Sequence, residues 1–136
     1  MKTVSTSLVV ALLLLGGCTA APSHFTPQDT TKYSLEYTDS FVLMGKQIQH
    51  SVTSTGIQYH NLPDGRLEIV ANIKNKENSR TRVEVSCVFK NEEGVAIGDE
   101  TAWQTLLLRE NATEGVTFTS TNNAARKYTV RVRQAQ

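Results

Sequence analysis

The stretch LLLLGGCTA, residues 12–20, ends an apolar run with two glycines and a cysteine. Leu15, Gly16, Gly17 and Cys18 match the bacterial lipobox, in which an apolar residue and two small residues precede an obligatory cysteine. Small side chains admit the extended backbone to a protease cleft, and a cysteine thiolate is a nucleophile that can take up a thioether-linked lipid. The pattern predicts cleavage between Gly17 and Cys18, with Cys18 as the lipid attachment site.

Residues 1–17 have the other parts of a secretory signal. Lys2 supplies a basic start, and residues 8–17 carry no charge. Ten residues of helix span only about 15 Å, roughly half of a bilayer core, so the pattern favours a signal peptide over a membrane span. An ordinary signal peptide with an unrelated cysteine behind it is the alternative. Two or three lipid chains anchor a protein firmly, so we predict a membrane partner reached through the N-terminal lipid. Thr19, where an Asp would favour the inner membrane, favours the outer membrane and a position facing the periplasm.

His50 and His60 are the histidines that could share a metal ion if they lie on neighbouring strands. Two imidazoles without a placed carboxylate or cysteine make a weak site. The sequence therefore predicts no metal and no cofactor.

Catalytic signatures are absent from the sequence, which holds no nucleophile elbow, zinc-protease motif, P-loop or dinucleotide fingerprint. The serines Ser51, Ser54 and Ser86 have no base at a recognisable spacing, and the acidic pairs at 92–93 and 99–100 fall in predicted turns, where solvated charge is expected. We predict that the protein is not an enzyme. A hydrolase whose triad assembles only in space is the alternative, because triads do not need sequence proximity.

Cys87 is the remaining cysteine once Cys18 is lipidated. Val83, Val85, Cys87 and Phe89 alternate and therefore share one face of a strand. A catalytic thiol would need a cationic, partly exposed setting. We expect Cys87 to be a buried core residue.

Charge excludes one class of partner. The chain has 14 Lys and Arg residues against 13 Asp and Glu residues, and loss of Lys2 with the signal leaves it formally neutral, so no nucleic-acid partner is predicted. The basic residues near the C-terminus are Arg126, Lys127, Arg131 and Arg133. They alternate with strand residues, which predicts a solvated strand face, with a phosphate-binding patch as the alternative.

Three regions follow along the chain: residues 1–17 as the signal peptide, residues 18–40 as the lipidated cysteine and a flexible tether, and residues 41–136 as one β domain. Short alternating runs predict strands at 45–52 (an edge strand), 57–62, 66–74, 81–90, 95–98, 101–109, around Val116 and Phe118, and from Tyr128 to Val132. Pro63-Asp64-Gly65 is a strong hairpin signal. Seven or eight short strands without a long helix predict an all-β, Ig-like antiparallel β-sandwich, with a small closed barrel as the alternative.

The lipobox, the polar tether, Met44-Gly45-Lys46-Gln47-Ile48 and three C-terminal blocks together resemble the YcfL family of small periplasmic lipoproteins. The C-terminal blocks are Trp103-Gln104-Thr105-Leu106, Asn111-Ala112-Thr113-Glu114-Gly115-Val116-Thr117-Phe118, and the stretch from Ala125 through Tyr128-Thr129-Val130-Arg131-Val132-Arg133. The resemblance covers most of residues 41–136. It implies an Ig-like sandwich with a lipid anchor, a context of envelope and peptidoglycan maintenance, and no catalytic residues to carry over.

The function predicted from these observations is a non-catalytic binding or assembly module of the cell envelope, anchored to the outer membrane, with an envelope protein as its partner. Strand addition at the predicted edge strand 45–52 is the expected mode of binding. A binder of small molecules or of peptidoglycan glycans is the alternative, with Trp103 or Tyr59 as the stacking surface. For Trp103 a place in the core or between the sheets is the favoured expectation.

Overall fold

A computed structural model describes residues 40–136, which form eight β-strands and one short helix. In chain order these are β1 (Phe41–Met44), α1 (Lys46–Ser51), β2 (Val52–Asn61), β3 (Leu67–Asn75), β4 (Thr81–Lys90), β5 (Ala96–Glu100), β6 (Gln104–Leu108), β7 (Thr113–Thr119) and β8 (Lys127–Gln134). Sheet A has the order β1-β8-β4-β5, with β6 also paired to β4, and sheet B has the order β2-β3-β7. The predicted all-β sandwich of seven or eight strands is confirmed.

Alternating apolar residues place the core between the two sheets. In β3 every second residue, from Leu67 to Ile73, is buried, and in β4 the same holds from Val83 to Phe89. Burial of one such side chain contributes about 1.5–3 kcal/mol. Cys87 is among these residues and has no solvent exposure, so the prediction that it belongs to the core is confirmed.

The turn between β2 and β3 follows the predicted hairpin signal. The Leu62 N–H donates to the Arg66 carbonyl at 2.8 Å, and the Gly65 N–H donates to the Leu62 carbonyl at 2.8 Å. Gly65 has φ of 85°, in the left-handed region that glycine adopts without strain. Asp64 accepts the Arg66 N–H through Oδ1 at 3.1 Å and closes the turn.

The predicted edge strand at 45–52 is wrong, because residues Lys46–Ser51 form α1 and the strand begins only at Val52. Ile48 and Val52 are both buried in the core. They are four residues apart, so a single helical turn brings them to the same side as well as an alternating strand would. β2 then extends from Val52 to Asn61, well beyond the predicted 57–62.

Sheet A is mixed and not purely antiparallel, since β1 pairs with β8 in parallel, with Phe41 opposite Val130 and Met44 opposite Arg133. Parallel neighbours need a long connection. Almost the whole domain lies between β1 and β8, so this condition is met by the chain itself.

The described part of the chain begins at residue 40, so the predicted signal peptide and almost all of the predicted tether lie outside it. Within residues 40–136, no helix has the length and apolar character that crossing a membrane would require.

Candidate functional site

Six side chains with polar or aromatic chemistry meet on the outer face of sheet A, the face away from the core. We call them the Trp103 cluster: Glu84, Ser86, Glu100, Trp103, Arg131 and Arg133. The β4–β8 register sets Glu84 opposite Arg133 and Ser86 opposite Arg131. The core-facing residues of both strands alternate with these, so the cluster residues point outward.

The segment between β5 and β6 brings Trp103 to this face. The Thr101 N–H donates to the Cys87 carbonyl and the Cys87 N–H donates to Thr101 Oγ1, each at 2.9 Å. These two hydrogen bonds hold Thr101, which lies two residues before Trp103, against β4. The indole therefore lies beside the arginines of β8, with Arg133 Cζ 4.0 Å and Arg131 Cζ 4.9 Å from the centre of its ring system.

The charges of the Trp103 cluster are matched within the cluster. Arg131 donates to Ser86 Oγ through Nε at 3.1 Å and Nη2 at 2.8 Å, and it also pairs with Glu100. Arg133 Nε donates to Glu84 Oε2 at 2.7 Å. Two guanidinium groups and two carboxylates thus balance, and the indole adds cation–π attraction.

This arrangement corrects two predictions from the sequence. Arg131 is only 7% exposed and Arg133 is partly buried against Trp103, so these arginines are not part of a solvated strand face. Trp103 is partly exposed and lies outside the core, so the favoured expectation of a core or inter-sheet position is wrong. Its ring contacts two cations of its own chain.

The prediction that Asp99 and Glu100 lie in a turn is wrong, because both belong to β5. The prediction of a solvated charge is wrong for Asp99, which is 7% exposed, whereas Glu100 is exposed as predicted. Asp99 accepts the Thr121 N–H through Oδ2 at 2.7 Å. Glu100 pairs with Arg131 as described above.

The serines have structural partners. Ser86 is fully buried and its hydroxyl oxygen accepts two bonds from Arg131, a donor that cannot serve as a base. Ser51 Oγ donates to the Gln47 carbonyl at 3.2 Å, and Ser54 Oγ donates to the Asn72 carbonyl at 3.2 Å.

His50 and His60 are far apart. His50 lies in α1, before the start of β2, and His60 lies near the far end of that strand. At about 3.3 Å per residue, the part of β2 from Val52 to His60 extends over roughly 26 Å. His60 Nε2 lies 3.2 Å from Glu68 Oε1 instead. Among residues 40–136, no group of three His, Cys, Asp or Glu side chains is arranged to hold a metal ion.

The thiol of Cys87 is held in its protonated form. Burial raises the pKa of Cys87 to about 12, against an ordinary pKa of 9.0, and the positive charge of Arg131 opposes this only in part. A thiol with such a pKa is not a nucleophile near neutral pH.

Tyr59 lies on sheet B, away from the Trp103 cluster, and the structure does not bring Tyr59 and Trp103 together. Its register partner in β3 is Ile69, a core residue, so Tyr59 also points toward the space between the sheets. Its ring packs on Tyr128 with a centroid distance of 5.8 Å, yet 65% of Tyr59 is exposed. The sandwich is therefore open at this side. Burial raises the pKa of Tyr128, and the neighbouring Tyr59 adds to this.

One side of the strand that carries Tyr59 pairs with no other strand in the described part of the chain. β2 pairs with β3 and is the edge of sheet B. We call its unpaired side the β2 edge. None of the ten residues of β2, VTSTGIQYHN, is a Lys, Arg, Asp or Glu. The register shifts at Ser54–Gly56, and residues 57–61 then pair regularly with β3. The sequence did not predict the first half of β2. The stretch Val52-Thr53-Ser54-Thr55 is rich in β-branched residues but has no alternation of apolar and polar residues.

The remaining predicted site residues, Leu15, Gly16, Gly17 and Cys18, lie outside the described residues. Their roles in cleavage and lipid attachment stay predictions.

Comparison with known proteins gives a family and a fold. The family model described as "Protein of unknown function (DUF1425)" matches residues 39–134. No curated protein matches the chain. The resemblance to the YcfL family stays a prediction.

Solved structures similar to this chain include the following two crystal structures. That of Campylobacter jejuni cj0090 has a TM-score of 0.60 and 13% sequence identity, and the match covers 71% of this chain and 98% of that chain. That of a DUF1425 family member from Shewanella sp. pv-4 has a TM-score of 0.56 and 23% identity, covering 62% of this chain and 79% of that chain. At these identities the likeness concerns the fold alone.

Proposed function

We propose that this chain, which belongs to the DUF1425 family, is a lipid-anchored, non-catalytic binding module of the bacterial cell envelope that binds a protein partner by strand addition at the β2 edge. The anchor and the binding surface rest on separate observations, and each has its own test.

The lipobox supports the anchor. Leu15, Gly16, Gly17 and Cys18 follow an uncharged run of a length suited to a signal peptide. The family match begins at residue 39, which leaves a segment of about 20 residues between Cys18 and the matched region. A flexible chain of that length reaches about 25 Å on average, so the domain would stand off a membrane surface. Thr19 favours the outer membrane.

The β2 edge is the observation that carries the proposed mode of binding. Proteins protect exposed edge strands by keeping them short, by placing charged side chains on them or by pointing a charge inward. Among the described edge strands, β1 has four residues and β6 five, β5 carries Asp99 and Glu100, and β7 carries Glu114 opposite the core residue Ile73. β2 is ten residues long and carries no charged side chain. A β-bulge, which also protects edges, is the one such feature in it. A long uncharged edge of this kind is suited to accept a partner strand.

The polar groups of the Trp103 cluster support a non-catalytic role. Ser86 and the two glutamates are bonded to the arginines of the same cluster. A reaction at Ser86 would first require breaking its hydrogen bonds to Arg131, and a reaction at either glutamate would require breaking an ion pair. The β2 edge, in contrast, is a strand edge with which no other strand of residues 40–136 pairs.

The anchor is tested by replacing Cys18 with Ser in the full chain. We expect loss of radiolabelled palmitate and accumulation of the uncleaved precursor. Cys87→Ser is the matched control and should keep the label, because Cys87 is buried in the domain. Palmitate labelling of the Cys18 variant would disprove the lipid anchor.

The binding surface is tested with a photo-crosslinking amino acid in place of Gln58, compared with the same residue in place of Thr117. Both side chains are exposed on edge strands of sheet B, but on opposite edges. Irradiation of intact cells should give a discrete protein adduct from position 58 and none from position 117. Equal adducts from both positions, or none from position 58, would refute strand addition at the β2 edge.

A further inference from the structure

We propose that the strand added to the β2 edge is β2 of a second copy of this chain, so that two molecules join their B sheets about a two-fold axis. The proposed pair uses the same β2 edge and therefore rests on the proposed function. The partner is identified as a second copy of this chain. The joined sheet would run β7-β3-β2 in one copy and continue β2-β3-β7 in the other.

Self-pairing is compatible with the charges of β2. In an antiparallel pair about a two-fold axis, each residue faces either itself or another residue of the same strand. Like charges that face each other across two strands are destabilising. β2 carries no Lys, Arg, Asp or Glu, so no register of the strand against its own copy opposes two such charges. Among the eight described strands, β3, β4, β5, β7 and β8 each carry at least one such charge.

The geometry of β2 indicates where the two-fold axis would lie. The bulge at Ser54–Gly56 interrupts the pleat, and residues 56–61 pair regularly with β3. Gly56 has no side chain, and Tyr59 is the middle one of the five residues 57–61 that do carry one. An axis at Tyr59 sets Gln58 of one copy opposite His60 of the other, and Ile57 opposite Asn61.

Tyr59 gives this pairing an apolar contact. It is 65% exposed although it points toward the space between the sheets, and one side of its ring rests on Tyr128. In the paired state the two Tyr59 rings would lie beside each other across the axis, on the open side of both sandwiches. Cross-strand aromatic pairs are among the stabilising contacts between antiparallel strands.

Five residue pairs make a small interface, and the proposed lipid anchor compensates for this. Two copies held on one membrane surface meet at a far higher effective concentration than in solution. The two β2 strands belong to domains at the ends of their tethers. Pairing therefore requires tethers that let the two domains lie side by side.

The register is tested with cysteines in two differently tagged copies of the full chain, expressed together in the native host. One copy carries Gln58→Cys and the other His60→Cys. Mild oxidation of intact cells should join the two tags through a disulfide, because directly opposed residues have the required Cα separation of about 4.4–6.8 Å. Thr117→Cys in both copies is the control for random collision and should give no disulfide.

The axis is tested by opposed charges. Tyr59→Lys in both copies sets two positive charges on the axis and should abolish the disulfide, and Tyr59→Glu in both copies should do the same. One copy with Tyr59→Lys and one with Tyr59→Glu should restore it. Tyr59 is mostly exposed, so these variants leave the core intact.

The outcomes separate this inference from the proposed function. A disulfide no stronger than that of the Thr117 control, or one unaffected by like charges at position 59, overturns self-pairing. If the Gln58 photo-adduct contains a different protein, self-pairing is overturned and strand addition at the β2 edge stands. If neither the adduct nor the disulfide forms, both are overturned.

Discussion

Replacement of Cys87 by Ala should destabilise the domain at neutral pH and cease to do so at alkaline pH. Removing the buried sulfur leaves a small cavity in the core, which costs about 1–2 kcal/mol of the free energy of unfolding. The thiol also links stability to pH, because its pKa is about 12 in the folded state and 9.0 is its ordinary value.

The sign of the pH effect follows from proton binding. Between about pH 9 and pH 12 the unfolded chain has lost the thiol proton, whereas the folded chain keeps it, so the stability of the parent protein falls as pH rises. One unit of pKa difference corresponds to about 1.4 kcal/mol, so the full loss would be about 4 kcal/mol. The Cys87→Ala variant has no such loss. The two stabilities should therefore become equal between about pH 9.7 and pH 10.5, where the thiol contribution has fallen by the cost of the cavity.

The assay is urea denaturation of the parent chain and the variant in parallel from pH 7 to pH 11, followed by the fluorescence of Trp103, the single tryptophan. All titratable groups other than residue 87 are present in both proteins, so their contributions cancel in the difference. A difference in the free energy of unfolding that stays constant across this range would refute the burial of the thiol and the reasoning built on it.

Three further changes test the contacts of the fold. Asn75→Ala should lower the free energy of unfolding by about 3 kcal/mol in chemical denaturation, because the buried amide donates to the carbonyls of two loops and accepts a backbone N–H. Asn78→Ala, at an exposed position, should lower it by less than about 0.5 kcal/mol. Similar losses from the two variants would contradict this role of Asn75. Arg133→Gln should shift the fluorescence maximum of Trp103, since the guanidinium lies 4.0 Å from the ring centre, and an unchanged spectrum would argue against the contact. Tyr128→Phe should remove a tyrosinate absorbance step above the ordinary pKa of 10.0, because burial raises the pKa of Tyr128; a lost step at or below that value would show that the ring is not buried.

The parts of the fold that local chemistry determines could be predicted from the sequence. The alternation of Leu67 to Ile73 identifies a strand and its core face without knowledge of its neighbours. Pro63-Asp64-Gly65 identifies a turn because glycine adopts the required φ. The burial of Cys87 followed from the same alternation in β4.

The parts that depend on strand register could not be predicted. Arg131 reaches Ser86 and Glu100 only because β8 pairs with β4 in one register and β5 pairs with β4 on its other side. The local sequence around Arg131 reads equally well as a solvated face. Ile48 and Val52 were ambiguous for another reason, since two apolar residues four apart satisfy both a strand and a helical turn.

The two edges of sheet B differ in a way that bears on how far an assembly of this protein could extend. On β7, the inward-facing Glu114 protects the edge opposite β2, while the β2 edge has no charged residue. A molecule with two open edges would add strands on both sides and form a fibre. Within sheet B, a molecule with one open edge is complete after a single pairing, and the joined sheet of a two-fold pair then ends in a β7 edge on each side. The distribution of charge between β2 and β7 therefore favours a closed pair over continued growth. Glu114→Ala opens the second edge, so the membrane-anchored variant should give species larger than a dimer when intact cells are treated with a chemical crosslinker. Crosslinked species no larger than those of the parent chain would show that Glu114 does not limit assembly.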